Sequence, residues 1–96
     1  MGKIADVIQI RGQFDEALRI RREEELPVYD QLGDVRSLLV GRTNLAIGLA
    51  GRGRVEDGPE IRDLLQRAHA DALRLGLPEA GQIAGIFQQI FGVAIG

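Results

Sequence analysis

The chain has 96 residues, no cysteine and a single histidine, His69, which excludes disulfides, thiolate metal sites and multi-histidine metal sites. Twelve basic residues against 14 acidic ones leave a net charge of −2, which argues against a nucleic-acid or membrane-surface protein. With three Phe, one Tyr and no Trp there is no aromatic platform for stacking bases or sugars. Glycine is the outlier, at 13 of 96 residues, about twice its average usage of ~7 %.

In chain order, the spacing predicts a helix over 2–11, with Gly12 behind Arg11 as a left-handed C-terminal cap. A second helix is expected over 14–31, with Phe14, Leu18, Val28, Tyr29 and Leu32 at helical spacing. Its apolar stripe breaks in the middle. Positions 21, 22 and 25, where apolar residues belong, are Arg21, Arg22 and Glu25. These charges form either a solvated face with i,i+4 pairs or an ionic layer that meets charges on another helix. Pro27 predicts a kink over 23–27, because it lacks an N–H and crowds the preceding turn.

Gly33 ends that helix and Asp34 caps the next, expected over 35–50 with Val35, Leu38, Leu39, Leu45, Ala46 and Leu49 on one face. Pro59 opens a helix over 59–75, and Pro78 one over 78–91. Gly12, Gly33, Gly53 and Gly76 read as caps, whereas Gly41, Gly48, Gly81 and Gly85 lie inside helices, where they mark close helix approach. No segment alternates with period two, so no strand is expected. The class is all-α, with about five antiparallel helices.

The chain repeats itself. Ala5 to Gly12 matches Ala46 to Gly53 at an offset of 41, and Gln31-Leu32-Gly33-Asp34 matches Arg74-Leu75-Gly76-Leu77 at an offset of 43. The two extra residues fit the Glu56-Asp57-Gly58-Pro59 turn. Gly12-Gln13-Phe14-Asp15-Glu16-Ala17-Leu18, running into a long helix that ends Leu32-Gly33-Asp34, resembles the tetratricopeptide repeat in its long-period bacterial variety. The second copy carries Asn44-Leu45-Ala46 and Gly53, but Asp57-Gly58-Pro59-Glu60 stands where the family has Asp-Glu-Ala-Leu. On this reading residues 1–33 are an N-terminally truncated first repeat, 34–76 a second repeat, and 77–96 a capping helix and tail.

The resemblance implies an α-solenoid fragment that binds a protein or peptide in a concave groove, or associates with itself, without catalysis. Its candidate groove residues here are Lys3, Asp6, Gln9, Asn44 and Ile47. The family's clamp for a peptide carboxylate uses lysines and asparagines over three full repeats, more than this chain holds.

The last helix is unusually apolar for a chain end. Ile83, Ile86, Phe87, Ile90 and Phe91 either fold back as a cap, leaving the tail over 92–96 loose, or contact another copy in a homo-oligomer. His69 has leucines at i±4 and reads as a surface or packing residue, and Gly51-Arg52-Gly53-Arg54 lacks the strand and lysine of a phosphate loop. No catalytic residue, cofactor, metal, nucleic acid or membrane partner is expected. The start, Met1-Gly2-Lys3-Ile4-Ala5-Asp6, has no signal-peptide pattern, so the expectation is a soluble, cytoplasmic chain.

Overall fold

The computed structural model describes the backbone of residues 3–96 and the side chains of residues 12–96. Four helical rods pack antiparallel, with no strand among the described residues. The first rod is continuous: α1 (Lys3–Ile20) passes through a π-helical turn, Arg21–Glu25, into α2 (Leu26–Leu32). Then follow α3 (Val35–Arg52), a 3₁₀ turn over Val55–Asp57, α4 (Gly58–Leu75) and α5 (Glu79–Phe91).

The turn expected at Gly12 does not exist. Gly12 is helical, and positive φ among the described glycines occurs only at Gly33, Gly53, Gly76 and Gly92. The expected helices over 2–11 and 14–31 are therefore one rod, and the Gly12–Leu18 stretch that carries the resemblance lies inside it. The reason is local. Glycine costs a helix about 1 kcal/mol relative to alanine, which weakens the helix without ending it. At Gly33 (φ 68°) a second signal follows, since the Asp34 side chain accepts a hydrogen bond from the Ser37 backbone N–H at 3.2 Å and starts α3. Gly53 and Gly76 are followed within six residues by Pro59 and Pro78. Gly12 is followed by Gln13 and Phe14, which neither cap nor break.

The core is a two-helix seam with additions. Leu38, Leu39, Leu45, Ala46 and Leu49 of α3 meet Ile61, Leu64, Leu65, Ala68 and Ala72 of α4, and α5 adds Ile83 and Phe87. Of the described side chains in the first rod, only Leu18 and Leu26 are fully part of this core, with Tyr29 packed at its edge. They dock where α3 has no side chain. A Cβ on Gly48 would lie 2.5 Å from Leu18 Cδ2, and one on Gly41 would lie 2.7 Å from Leu26 Cδ2. Close approach thus explains Gly41 and Gly48. It does not explain Gly81 and Gly85, where an added Cβ meets nothing within 4 Å.

This docking accounts for the π-turn. Gly41 and Gly48 are seven residues apart, but Leu18 and Leu26 are eight apart. An α-helix turns about 100° per residue, so Leu26 would point about 80° away from Leu18 in a regular rod. One extra residue absorbed in a π-turn leaves an effective spacing of seven and brings the two leucines within about 20° of one line. The Leu26 N–H accordingly bonds to the Arg21 carbonyl, five residues back. The same turn lies against Pro27, at the place where a kink is expected.

Charges reinforce the joints. Arg22 forks onto Glu60 at the start of α4, with both bonds at 2.8 Å. Arg19 and Arg21 stay within their own rod, paired with Glu16, Glu23 and Glu25. The charged break in the stripe is therefore both things at once: a solvated face, and one cross-helix pair. Past α5, the tail over 92–96 is exposed except at Ile95, which packs against the core.

Candidate functional site

α3 is enclosed by α4 behind and flanked by the first rod and α5. Its uncovered stripe carries Val40, Asn44 and Ile47 at i, i+4 and i+7, and all three are exposed, Val40 by 40 % and Ile47 by 45 %. Three adjoining hollows open along this stripe. One, of about 470 Å³, lies between the π-turn with α2 and the start of α3, with Arg21, Glu25, Tyr29, Ser37, Val40 and Asn44 among its walls. A second, of about 390 Å³, lies between α1 and α3, against Phe14, Arg21, Asn44 and Ile47. The third, of about 210 Å³, lies between α3 and α5, against Val40, Asn44, Ile47, Glu79, Gln82 and Ile86. Asn44 borders all three.

Of the expected groove residues, Asn44 and Ile47 thus share one floor. Lys3, Asp6 and Gln9 lie outside the described side chains. Val40, Tyr29, Phe14, Glu79 and Gln82 join the groove without having been expected there from the sequence. Val40 is legible as the i−4 neighbour of Asn44, whereas the others enter only through the docking of the first rod and α5.

The five candidate oligomer contacts divide. Ile83 and Phe87 are 2 % and 3 % exposed and belong to this chain's own core. Ile86 and Phe91 are half-buried against it, and Ile90 is exposed. Phe91 stacks obliquely on Phe87, with ring centres 4.7 Å apart, and lies under the Arg62 guanidinium at 5.2 Å. α5 is therefore a cap on α4 that retains an apolar outer edge.

Two ion pairs sit at the groove's rim, and Asp34 beside them caps α3. Arg21 faces Glu25 at 3.7 Å, and Arg36 donates to Glu79 Oε2 through Nε at 3.0 Å, with a terminal nitrogen at an ion-pair distance of 2.9 Å from the same oxygen. Glu79 Oε1 is buried and accepts no hydrogen bond from the described residues.

A second charged cluster sits at the far end of α3. Arg52 grips Asp57 with a fork, at 2.6 and 3.0 Å, and reaches Asp15 of α1 at 3.1 Å, while Arg54 meets the other oxygen of Asp15 at 3.2 Å. Asp57 is 6 % exposed, and the Arg52 guanidinium holds its carboxyl below the ordinary aspartate range. Both arginines of Gly51-Arg52-Gly53-Arg54 are committed to carboxylates here, which makes this cluster a clasp between α1, α3 and the 3₁₀ turn. His69 is half-buried on α4. Among the described residues no group of His, Cys, Asp and Glu is placed to hold a metal, and no helix is long and apolar enough to cross a membrane.

No protein-family model matches this chain, and neither a curated protein nor a solved structure does.

Proposed function

We propose that this chain is a protein-interaction module that holds a segment of another protein along α3. One observation carries the reading: the exposed stripe Val40, Asn44 and Ile47 floors three adjoining hollows walled by the first rod on one side and α5 on the other. Solitary exposed aliphatic residues are ordinary, whereas aliphatic residues lined up at the bottom of a concave surface, with polar groups at its rim, are the form of a binding site. The lining combines aliphatic side chains with the rings of Phe14 and Tyr29, the carboxamides of Asn44 and Gln82, hydroxyls and charges, a mixture suited to gripping a peptide. The resemblance to tetratricopeptide repeats supports the same reading through its second copy, where α3 supplies the inner face.

Ile47→Asp is the direct test. Ile47 is 45 % exposed, so the substitution leaves the core intact, which circular dichroism checks. A random peptide array probed with the wild-type chain should yield binders that the variant retains at least tenfold less well. Identical binding by both proteins, or no binder on the wild type, overturns the reading.

A further inference from the structure

We infer that two copies of this chain exchange their first rods about the turn at Gly33 and Asp34, giving a dimer in which α3 of each copy carries the rod of the other. The fold itself identifies the occupant. The notches that receive Leu18 at Gly48 and Leu26 at Gly41 within one chain fit the same leucines from a second chain. The ion pairs re-form as well, Arg22 with Glu60 and Asp15 with Arg52 and Arg54. Every described contact between the first rod and the other helices is therefore kept in the exchanged form. What distinguishes the two forms is the hinge, and the new surface that the two hinges bring together.

Three features favour the exchange. Apart from Leu18 and Leu26, the buried apolar core of the described residues comes from α3, α4 and α5, so these three helices keep their shared core while a rod is undocked. The hinge is short. Only Gly33 and Asp34 join two antiparallel helices, and the reversal depends on Gly33 at φ 68°, a region that glycine alone enters freely. Tight links of this kind invite exchange. The third feature is the surface at the hinge. Val28 and Leu32 are exposed beside it, Leu32 by 73 %, and α4 runs back antiparallel to α3 to bring the exposed Leu73 and Leu75 to the same end. A closed chain leaves this apolar end in water. In the exchanged dimer the two hinges pass each other beside the two-fold axis, so this end is where a new contact forms and apolar surface is covered. Each groove would then be built from two chains, with Phe14, Arg21 and Tyr29 from one and Val40, Asn44 and Ile47 from the other. The exchange stands whether or not that groove holds a peptide.

The test uses the full chain at about 1 mM, where mass action favours association. Light scattering should give twice the mass of one chain. A dimer refolded from equal parts of isotope-labelled and unlabelled chains should show, in isotope-filtered NOE spectra, the Leu18 and Leu26 methyls of one chain against Gly48 and Gly41 of the other. Gly33→Ala strains the closed turn and should tighten the dimer by roughly tenfold or more. Leu32→Glu sets like charges near the two-fold axis and should weaken it by roughly tenfold or more, with the circular dichroism of the dilute chain unchanged. A single-chain mass for the wild type overturns the exchange. A dimer whose Leu18–Gly48 and Leu26–Gly41 contacts stay within one chain overturns it too, because side-by-side association gives that result. So does a dimer that Gly33→Ala loosens or that Leu32→Glu leaves as tight as wild type.

Discussion

Removing one residue from the π-turn separates its two roles. Deleting Glu24, whose side chain is 61 % exposed, leaves Leu18 and Leu26 seven apart in a regular α-helix, matched to Gly48 and Gly41. It also places Pro27 in an unbroken helix, where the ring crowds the carbonyl four residues back at a cost of about 3 kcal/mol. The deletion alone should therefore destabilise the chain by about that amount. The deletion combined with Pro27→Ala should return to within about 1 kcal/mol of wild type, because both leucines stay buried and the helical ladder is regular. Inserting an alanine after Glu23 is the counter-experiment. It turns Leu26 about 100° off its glycine and should cost about 2 kcal/mol for the lost burial. Urea titration followed at 222 nm measures all three, with slopes of about 1–3 kcal/mol per molar expected for a small protein. If the deletion with Pro27→Ala is as unstable as the insertion, the spacing of the leucines is not what the π-turn serves.

The glycines divide by the same logic. Gly85→Ala, in open space within α5, should raise stability by about 0.5–1 kcal/mol, or roughly 4–8 °C of Tm per kcal/mol. Gly48→Ala, which drives a methyl into Leu18, should lose that gain to overpacking of about 1–3 kcal/mol, so equal melting shifts for the two would remove the close approach. Asp57→Asn breaks the grip of Arg52 and should cost about 2 kcal/mol at neutral pH, less than a sealed pair because the clasp opens to water at Asp15. Since Asp57 titrates below its ordinary 3.8 in the fold, its contribution is complete well above that value and is lost progressively as pH falls from there through the lowered folded-state value. The variant's stability, measured from pH 7 to 3, should therefore fall less steeply than that of wild type. A chain ending at residue 78 loses Ile83 and Phe87 from the core and should melt at least 10 °C lower in a thermal scan, and an unchanged melting temperature would deny α5 its capping role.

Where sequence reasoning succeeded, two local signals agreed. Gly33 with Asp34, Gly53 with Pro59 and Gly76 with Pro78 each join a residue that permits a stop to one that starts the next helix. Gly12 offers only the permission, and the helix passes through it. The break in the apolar stripe after Leu18 held more than it yielded. Apolar residues fail at positions 21, 22 and 25 and resume at Leu26, one place late, which is the signature of one residue too many for an α-helical face. That becomes interpretable only once Gly41 and Gly48 are known to be the partners, because a spacing of eight is an error only against a spacing of seven. The groove divides in the same way. Asn44 and Ile47 share a face by helical arithmetic alone, and Val40 follows from it. Glu79 does not, because its two oxygens acquire different fates only when α5 lies beside α3 and Arg36 reaches across to one of them. A residue's own helix decides which way it points, and its chemical role depends on a neighbour 43 positions away.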